Sequence, residues 1–204
     1  MNYIISFPRS GQHLTEGVLT YLSSEYKLEF KYCDYYNSCN KIPCDCGSNF
    51  QKNHDFSLKP LSDDYNKDLI NISDDDNYLV LYRKDMITQL ESYYRYSLKL
   101  YSKEYQFDDL IDFIKNNIDY YKNFVNKWVI DKSNVLSIDY SDLVDNFNES
   151  FKTIVNHFFG KKIDFDLTNT DFKINDGFKC FNTSKIEIKN KIEDDIYNKI
   201  RLLI

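Results

Sequence analysis

A chain of 204 residues with a formal net charge of −6 and a hydrophobic fraction of 42% suits one domain, one that buries roughly 70% of its unfolded surface. The acidic balance argues against a general binder of nucleic acid or of an anionic membrane, so any anion site must be made locally. No window approaches the ~18 consecutive apolar residues of a membrane span, and the first apolar run begins two residues after Met1, leaving no room for a signal peptide; the expectation is a soluble protein of a cytoplasm-like compartment.

The run Tyr3 to Phe7 is long enough for one buried strand. Pro8 and Gly11 then break the extended pattern and allow a sharp turn. Leu14, Val18, Leu19 and Leu22 recur at helical spacing and predict a helix over 14–24. A strand, a tight loop and a helix N-terminus turn successive backbone N–H groups toward one point, which attracts anions and above all phosphate. Arg9 adds a charged donor inside that loop. No Gly-Lys-Ser/Thr closes it, so it is not a Walker A loop.

Residues 27–36 alternate enough for a second strand, and 42–48, with Pro43 and Gly47, read as a loop. Four of the five cysteines, Cys33, Cys39, Cys44 and Cys46, fall in this Tyr-rich stretch. An odd number of cysteines in a reducing compartment does not suggest a disulfide framework. A zinc site, with His54 as a further ligand, is one reading. The Cys-x-Cys spacing is uncommon for zinc and the paired Cys-x₂-Cys signature is missing, which favours free thiols and no metal. The stretch also lacks Cys-x₅-Arg, which argues against a cysteine phosphatase.

Lys52 and His54 follow within Phe50 to Phe56. An imidazole suits the removal of a proton from a hydroxyl, and a lysine suits the balancing of negative charge in a group transfer. The chain has three histidines: His13, in the loop itself, is the rival for a direct role, and His157 reads as helix packing. Residues 63–76 are acidic and read as surface. Tyr78 to Tyr82 then forms an apolar run suited to a central parallel strand, with Arg83 directly after it and Ser92 nine residues further on. Arginine suits bidentate phosphate binding, and the C-terminal ends of strands are where open α/β sheets bind ligands. Phe107 to Trp128 is the clearest helix, with Leu110, Ile114, Ile118, Tyr121, Val125 and Trp128 on one stripe. A further strand over Val135 to Asp139 runs into Tyr140, a helix over 151–159 ends at the C′ candidate Gly160, and Ile188, Ile192, Ile196, Ile200 and Leu203 make an amphipathic closing helix.

Four of these segments, in this order, resemble the sulfotransferases that use 3′-phosphoadenosine 5′-phosphosulfate (PAPS). The loop Pro8-Arg9-Ser10-Gly11 resembles their 5′-phosphosulfate loop, with Gln12 and His13 in place of two threonines and Leu14 at the bulky position. Lys52 and His54 match a Lys-Thr-His, with Asn53 departing from it; Arg83 and Ser92 match the pair that holds the 3′-phosphate; and Tyr140-Ser-Asp-Leu143 matches Tyr-Glu-Asp-Leu, whose tyrosine contacts adenine. The form Arg83-x-Asp85-x₃-Gln89-x₂-Ser92 is also similar to the trehalose sulfotransferase branch. The resemblance runs over most of residues 3–160. It implies a single domain over 1–204 with a P-loop-like three-layer α/β/α fold around a parallel sheet of four or five strands. It also implies PAPS as sulfuryl donor and a small-molecule or glycan acceptor. His54 would be the base, with Lys52 and Arg9 stabilising charge. Arg9, Ser10, Gly11, Gln12, His13, Leu14, Arg83, Ser92 and Tyr140 would bind the nucleotide, and Lys179 and Lys185 would stand in a basic loop folded over it. The alternatives are a nucleotide or small-molecule kinase and a nucleotide-binding module without catalysis.

Overall fold

A computed structural model describes residues 1–55, 69–168, 171–174, 179–182 and 194–204. The chain alternates strands and helices: β1 (Asn2–Ser6), α1 (Gln12–Tyr26), β2 (Tyr32–Asp34), β3 (Phe50–Asn53), β4 (Asn77–Tyr82), α2 (Met86–Tyr101), α3 (Phe107–Trp128), β5 (Val135–Asp139), α4 (Tyr140–Asp145) and α5 (Phe147–Phe159). A short hairpin, β6 (Asp171–Ile174) and β7 (Lys179–Asn182), and the closing helix α6 (Asp194–Leu203) follow. The predicted α3 and β5 appear with their expected bounds. The second strand shrinks to three residues and is followed by one π-helical turn, Tyr35–Cys39. Residues 63–68 and 188–193 of the sequence reading lie outside the described residues.

β1 to β5 form one all-parallel sheet in the order β2-β3-β1-β4-β5. The central strands are buried on both faces, which is why their sequences are apolar throughout rather than half polar. Their period of two sorts the side chains into two cores. Tyr3, Ile5 and Phe7 join Tyr78, Val80 and Tyr82 against α2, α3 and Ile200 of α6. Ile4, Leu79 and Leu81 face the other way, against Val18, Leu19 and Leu22 of α1 and Phe151, Ile154 and Val155 of α5. The α3 stripe is broader than its sequence period suggests: Phe113, Tyr120 and Phe124 are buried with it, while Ile118 and Val125 sit at its margin. Phe7 anchors this core, its ring between those of Tyr93, Tyr120, Tyr121 and Phe124 at 4.8–6.0 Å. α5 stops where Gly160 turns left-handed at φ 60°, the C-cap its glycine predicts.

The strand order reverses direction at β1: the chain leaves it first toward β2 and β3 and then crosses to β4 and β5. Two loops part there, at the C-terminal ends of β1 and its neighbours, and open a crevice between them. No helix among the described residues is long and apolar enough to cross a membrane.

Candidate functional site

The crevice holds a cavity of about 450 Å³ lined by Pro8, Arg9, Gly11, Gln12, His13, Leu14, His54, Arg83, Tyr96 and Tyr140. That volume lies within the range of small-ligand sites. Five expected residues of the loop, with His54, Arg83 and Tyr140, therefore share one wall, though they are as far as 131 positions apart in the chain.

The loop after β1 is built for close backbone approach. Arg9 takes φ 73° and Gly11 φ 89°, two left-handed residues one apart. A Cβ at Gly11 would stand 2.8 Å from Cδ2 of Tyr140 and 3.0 Å from Cδ2 of Leu143, so the glycine is required by space as well as by φ. Gly11 also serves as the N-cap of α1 and offers that helix no side-chain acceptor, while no acidic residue stands in the first turn. The first N–H groups of α1 thus lack an anionic partner on their own helix, and the positive end of the helix faces the cavity. Two glutamines brace the loop. Ser10 Oγ donates to Gln89 Oε1 at 2.8 Å, and Gln89 Nε2 donates to the Pro8 carbonyl, tying the loop to α2. Gln12 Nε2 donates to the carbonyls of Ile4 at 3.0 Å and Asn53 at 3.4 Å, lacing β1 to β3, and its Oε1 is buried with no partner among the described residues.

Arg83 enters from the end of β4 and is 8% exposed. Its guanidinium lies over the Tyr140 ring, 4.4 Å from the centroid, and Nη2 donates to the Arg9 carbonyl at 3.2 Å. Its Nε–H is buried without a partner, and no carboxylate forms an ion pair with it among the described residues. Burial lowers its pKa, with the Arg9 charge adding to that effect. Tyr121 fixes the backbone beneath it, its hydroxyl donating to the carbonyls of Arg83 and Lys84. Arg9 itself lies over Tyr96, 5.1 Å from that ring's centroid. Two guanidinium groups therefore bracket the cavity, and each rests on a tyrosine, with no carboxylate paired to either among the described residues.

His54 closes the opposite side. Its Nδ1 lies 2.8 Å from the Ser6 carbonyl, an acceptor that demands an N–H there and leaves the basic lone pair on Nε2. The imidazole stacks on Tyr36 at 5.3 Å, and the His54 N–H donates to the Tyr36 hydroxyl at 3.0 Å. Burial first, then the Lys52 charge, lowers the imidazole pKa to about 3. Asp55, next in the chain and at φ 58°, anchors this end: its carboxylate accepts from the N–H groups of Leu69 and Ile70, from Lys127 Nζ at 2.7 Å and from Trp128 Nε1 at 2.8 Å.

Three expected residues do not line the cavity: Ser10, turned toward Gln89, and Lys52 and Ser92. Lys52 is 4% exposed and its Nζ donates to Asp34 Oδ2 at 3.0 Å; it reaches the site through its field on His54 and does not line the cavity. Ser92 is buried on α2 and is not among the lining residues either. Lys179 opens β7, a strand where a basic loop is expected, and Lys185 lies outside the described residues. His13 lines the cavity with Nδ1 3.7 Å from Glu16 Oε2. Tyr140 presents its ring to Arg83, so its first role is to carry that guanidinium. The sequence reading does not single out Gln89, Tyr96, Tyr36, Asp55 or Tyr121 as site residues. Gln89 stands inside the Arg-x-Asp-x₃-Gln form, a signal that was available; the tyrosines are camouflaged in a chain with 18 of them.

Comparisons with models of known protein families, with curated proteins and with solved structures return no match, so the chemistry of the crevice carries the functional reading.

Proposed function

We propose that the protein is a PAPS-dependent sulfotransferase with a P-loop-like fold, acting on a hydroxyl of a small molecule or glycan. One observation carries this reading: two arginines without carboxylate partners among the described residues flank the uncapped N-terminus of α1 in one cavity, and His54 faces the same space. A ligand with two separate phosphate groups satisfies both cationic ends at once. The loop N–H groups and Arg9 take the 5′ end, and the Arg83 guanidinium on the cavity wall takes the phosphate on the ribose.

In the transfer step the acceptor oxygen bonds to sulfur while the bond from sulfur to the 5′-phosphate oxygen breaks. His54 Nε2 receives the hydroxyl proton, and the electron pair of the broken bond stays on the phosphate beside Arg9. The neutral imidazole is ready for this role. Its lowered pKa makes it a weak base in the ligand-free chain, and the negative charge of a bound bisphosphate raises its basicity at the moment it is needed. Lys52 contributes at a distance, from its pair with Asp34.

The test is titration calorimetry with adenosine 3′,5′-bisphosphate and with ATP and magnesium, followed by transfer of labelled sulfate from PAPS to pooled metabolites and glycans. Binding of the bisphosphate with transfer to an acceptor is expected. Binding without transfer to any acceptor points to a nucleotide-binding module, and a preference for magnesium-ATP points to a kinase; either outcome ends the sulfotransferase reading.

A further inference from the structure

Away from the cavity wall, the connection from β2 to β3 gathers four sulfurs. Cys33 lies on β2, Cys39 ends the π-helical turn, and Cys44 and Cys46 come from the returning loop; their Sγ atoms all lie within 4.8 Å of one another. The Sγ atoms of Cys33 and Cys39 are 3.2 Å apart and those of Cys44 and Cys46 2.6 Å apart. A zinc ion with bonds of about 2.3 Å in tetrahedral geometry sets its sulfurs about 3.8 Å apart, and the observed spread brackets that figure. A multinuclear iron–sulfur cluster holds its ligand sulfurs farther apart than this group allows. The surroundings suit thiolates: the Cys46 N–H points at Cys44 Sγ at 3.4 Å and Gln51 Nε2 at Cys39 Sγ at 3.8 Å. Gln51 also donates to the Lys41 carbonyl, which fixes the loop to β3. Four thiols drawn together at one place, one of them buried to 1% exposure, are otherwise hard to account for in a loop of this length.

We propose that Cys33, Cys39, Cys44 and Cys46 form a tetrahedral zinc site that fastens the β2–β3 connection and, through Tyr36, holds His54 in place. Tyr36 sits within the π-helical turn between Cys33 and Cys39, and its ring and hydroxyl meet the His54 side chain and backbone. The metal is structural, since all four positions are taken by protein sulfurs and none is left for a substrate. The spacing Cys-x₅-Cys-x₄-Cys-x-Cys weighs against zinc in the sequence because the turn, and not a repeated knuckle, brings the sulfurs together, and His54 is not among them.

This inference is independent of the nucleotide reading and is tested without it. The full chain, expressed with zinc and purified under reducing conditions, is expected to carry one zinc per chain by elemental analysis. Exchange with cobalt is expected to give the intense d–d bands of tetrahedral coordination and a thiolate-to-cobalt charge-transfer band. Cys46→Ser, at the exposed ligand, is expected to weaken zinc at least tenfold against a competing chelator. Metal-free protein whose four thiols all react freely while the fold is intact overturns the site, and stoichiometric iron overturns the choice of metal. For the link to the cleft, the His54 imidazole resonances are expected to shift when a chelator strips the metal and to return with zinc; resonances unmoved by its loss overturn that part.

Discussion

Arg83 is a buried cation whose neighbours are a ring, a carbonyl and a second arginine. Such a group is tolerated because Tyr140 offers its π-face, and it retains an unspent donor in Nε–H. Charged hydrogen bonds contribute about 1.5–3 kcal/mol each. Arg83→Ala is therefore expected to raise the Kd for adenosine 3′,5′-bisphosphate by about tenfold or more in calorimetry. Arg83→Lys is expected to recover little of it, because a point charge neither stacks on Tyr140 nor offers a fork; affinity near that of the wild type in either variant removes Arg83 from the site. In the proposed mechanism His54 acts on the rate instead. His54→Ala is expected to lower kcat by about two orders of magnitude while bisphosphate affinity holds, the size usual for a positioned base. Turnover near normal in that variant would leave His13 as the base to test.

The loop between β1 and α1 works as a unit, since Gln89 holds Pro8 and Ser10 while Gly11 rests against Tyr140. Gly11→Ala combines a left-handed alanine, which costs about 1–2 kcal/mol, with a displaced Tyr140. It is expected to lower the urea midpoint and, because Tyr140 carries Arg83, to weaken bisphosphate binding as well; a loss of stability alone would separate the loop from the arginine. Asp55 has the same standing for the β3 end. Replacing it with alanine breaks the ion pair with Lys127 and removes the acceptor of the indole N–H and of two backbone N–H groups, and the expected cost is about 3–5 kcal/mol in denaturant unfolding. These elements differ in how far the sequence reveals them. Tyr3 to Leu22 is legible because a period of two gives way to one of 3.6 across a Pro-x₂-Gly break. The brace from Gln89 is not, because a single glutamine on a helix has no pattern; only the position of β1 beside β4 in the sheet turns it toward Pro8. Lys52 illustrates the converse: its spacing from His54 points to the site, but its side chain pairs with Asp34.

At the scale of the whole molecule, the all-parallel sheet was predictable from strands that are apolar on both faces, as at Tyr78 to Leu81, where every residue is fully buried. The order β2-β3-β1-β4-β5 was not, since nothing local states which neighbour a buried strand chooses. Packing the cleft this tightly also ties stability to acidity. The folded chain holds His54 neutral with a pKa of about 3, whereas the unfolded chain protonates it near 6.5. As pH falls from about 6.5 toward 3, the unfolded state takes up the proton first, so this group's contribution declines by at most about 1.4 kcal/mol per pH unit. His54→Asn removes the effect while shared carboxylate titrations cancel: the stability gap between variant and wild type is expected to move in the variant's favour on acidification, and a gap constant with pH contradicts the burial of the imidazole. Finally, the closeness of Gly11 to Tyr140 acts as a caliper. One jaw is the turn before α1, the other is Arg83 riding on the ring, and the hinge between them is a residue with no side chain to shorten or lengthen. On the proposed function such a gauge selects by span: a nucleotide phosphorylated at only one end reaches a single jaw, however many phosphates that end carries.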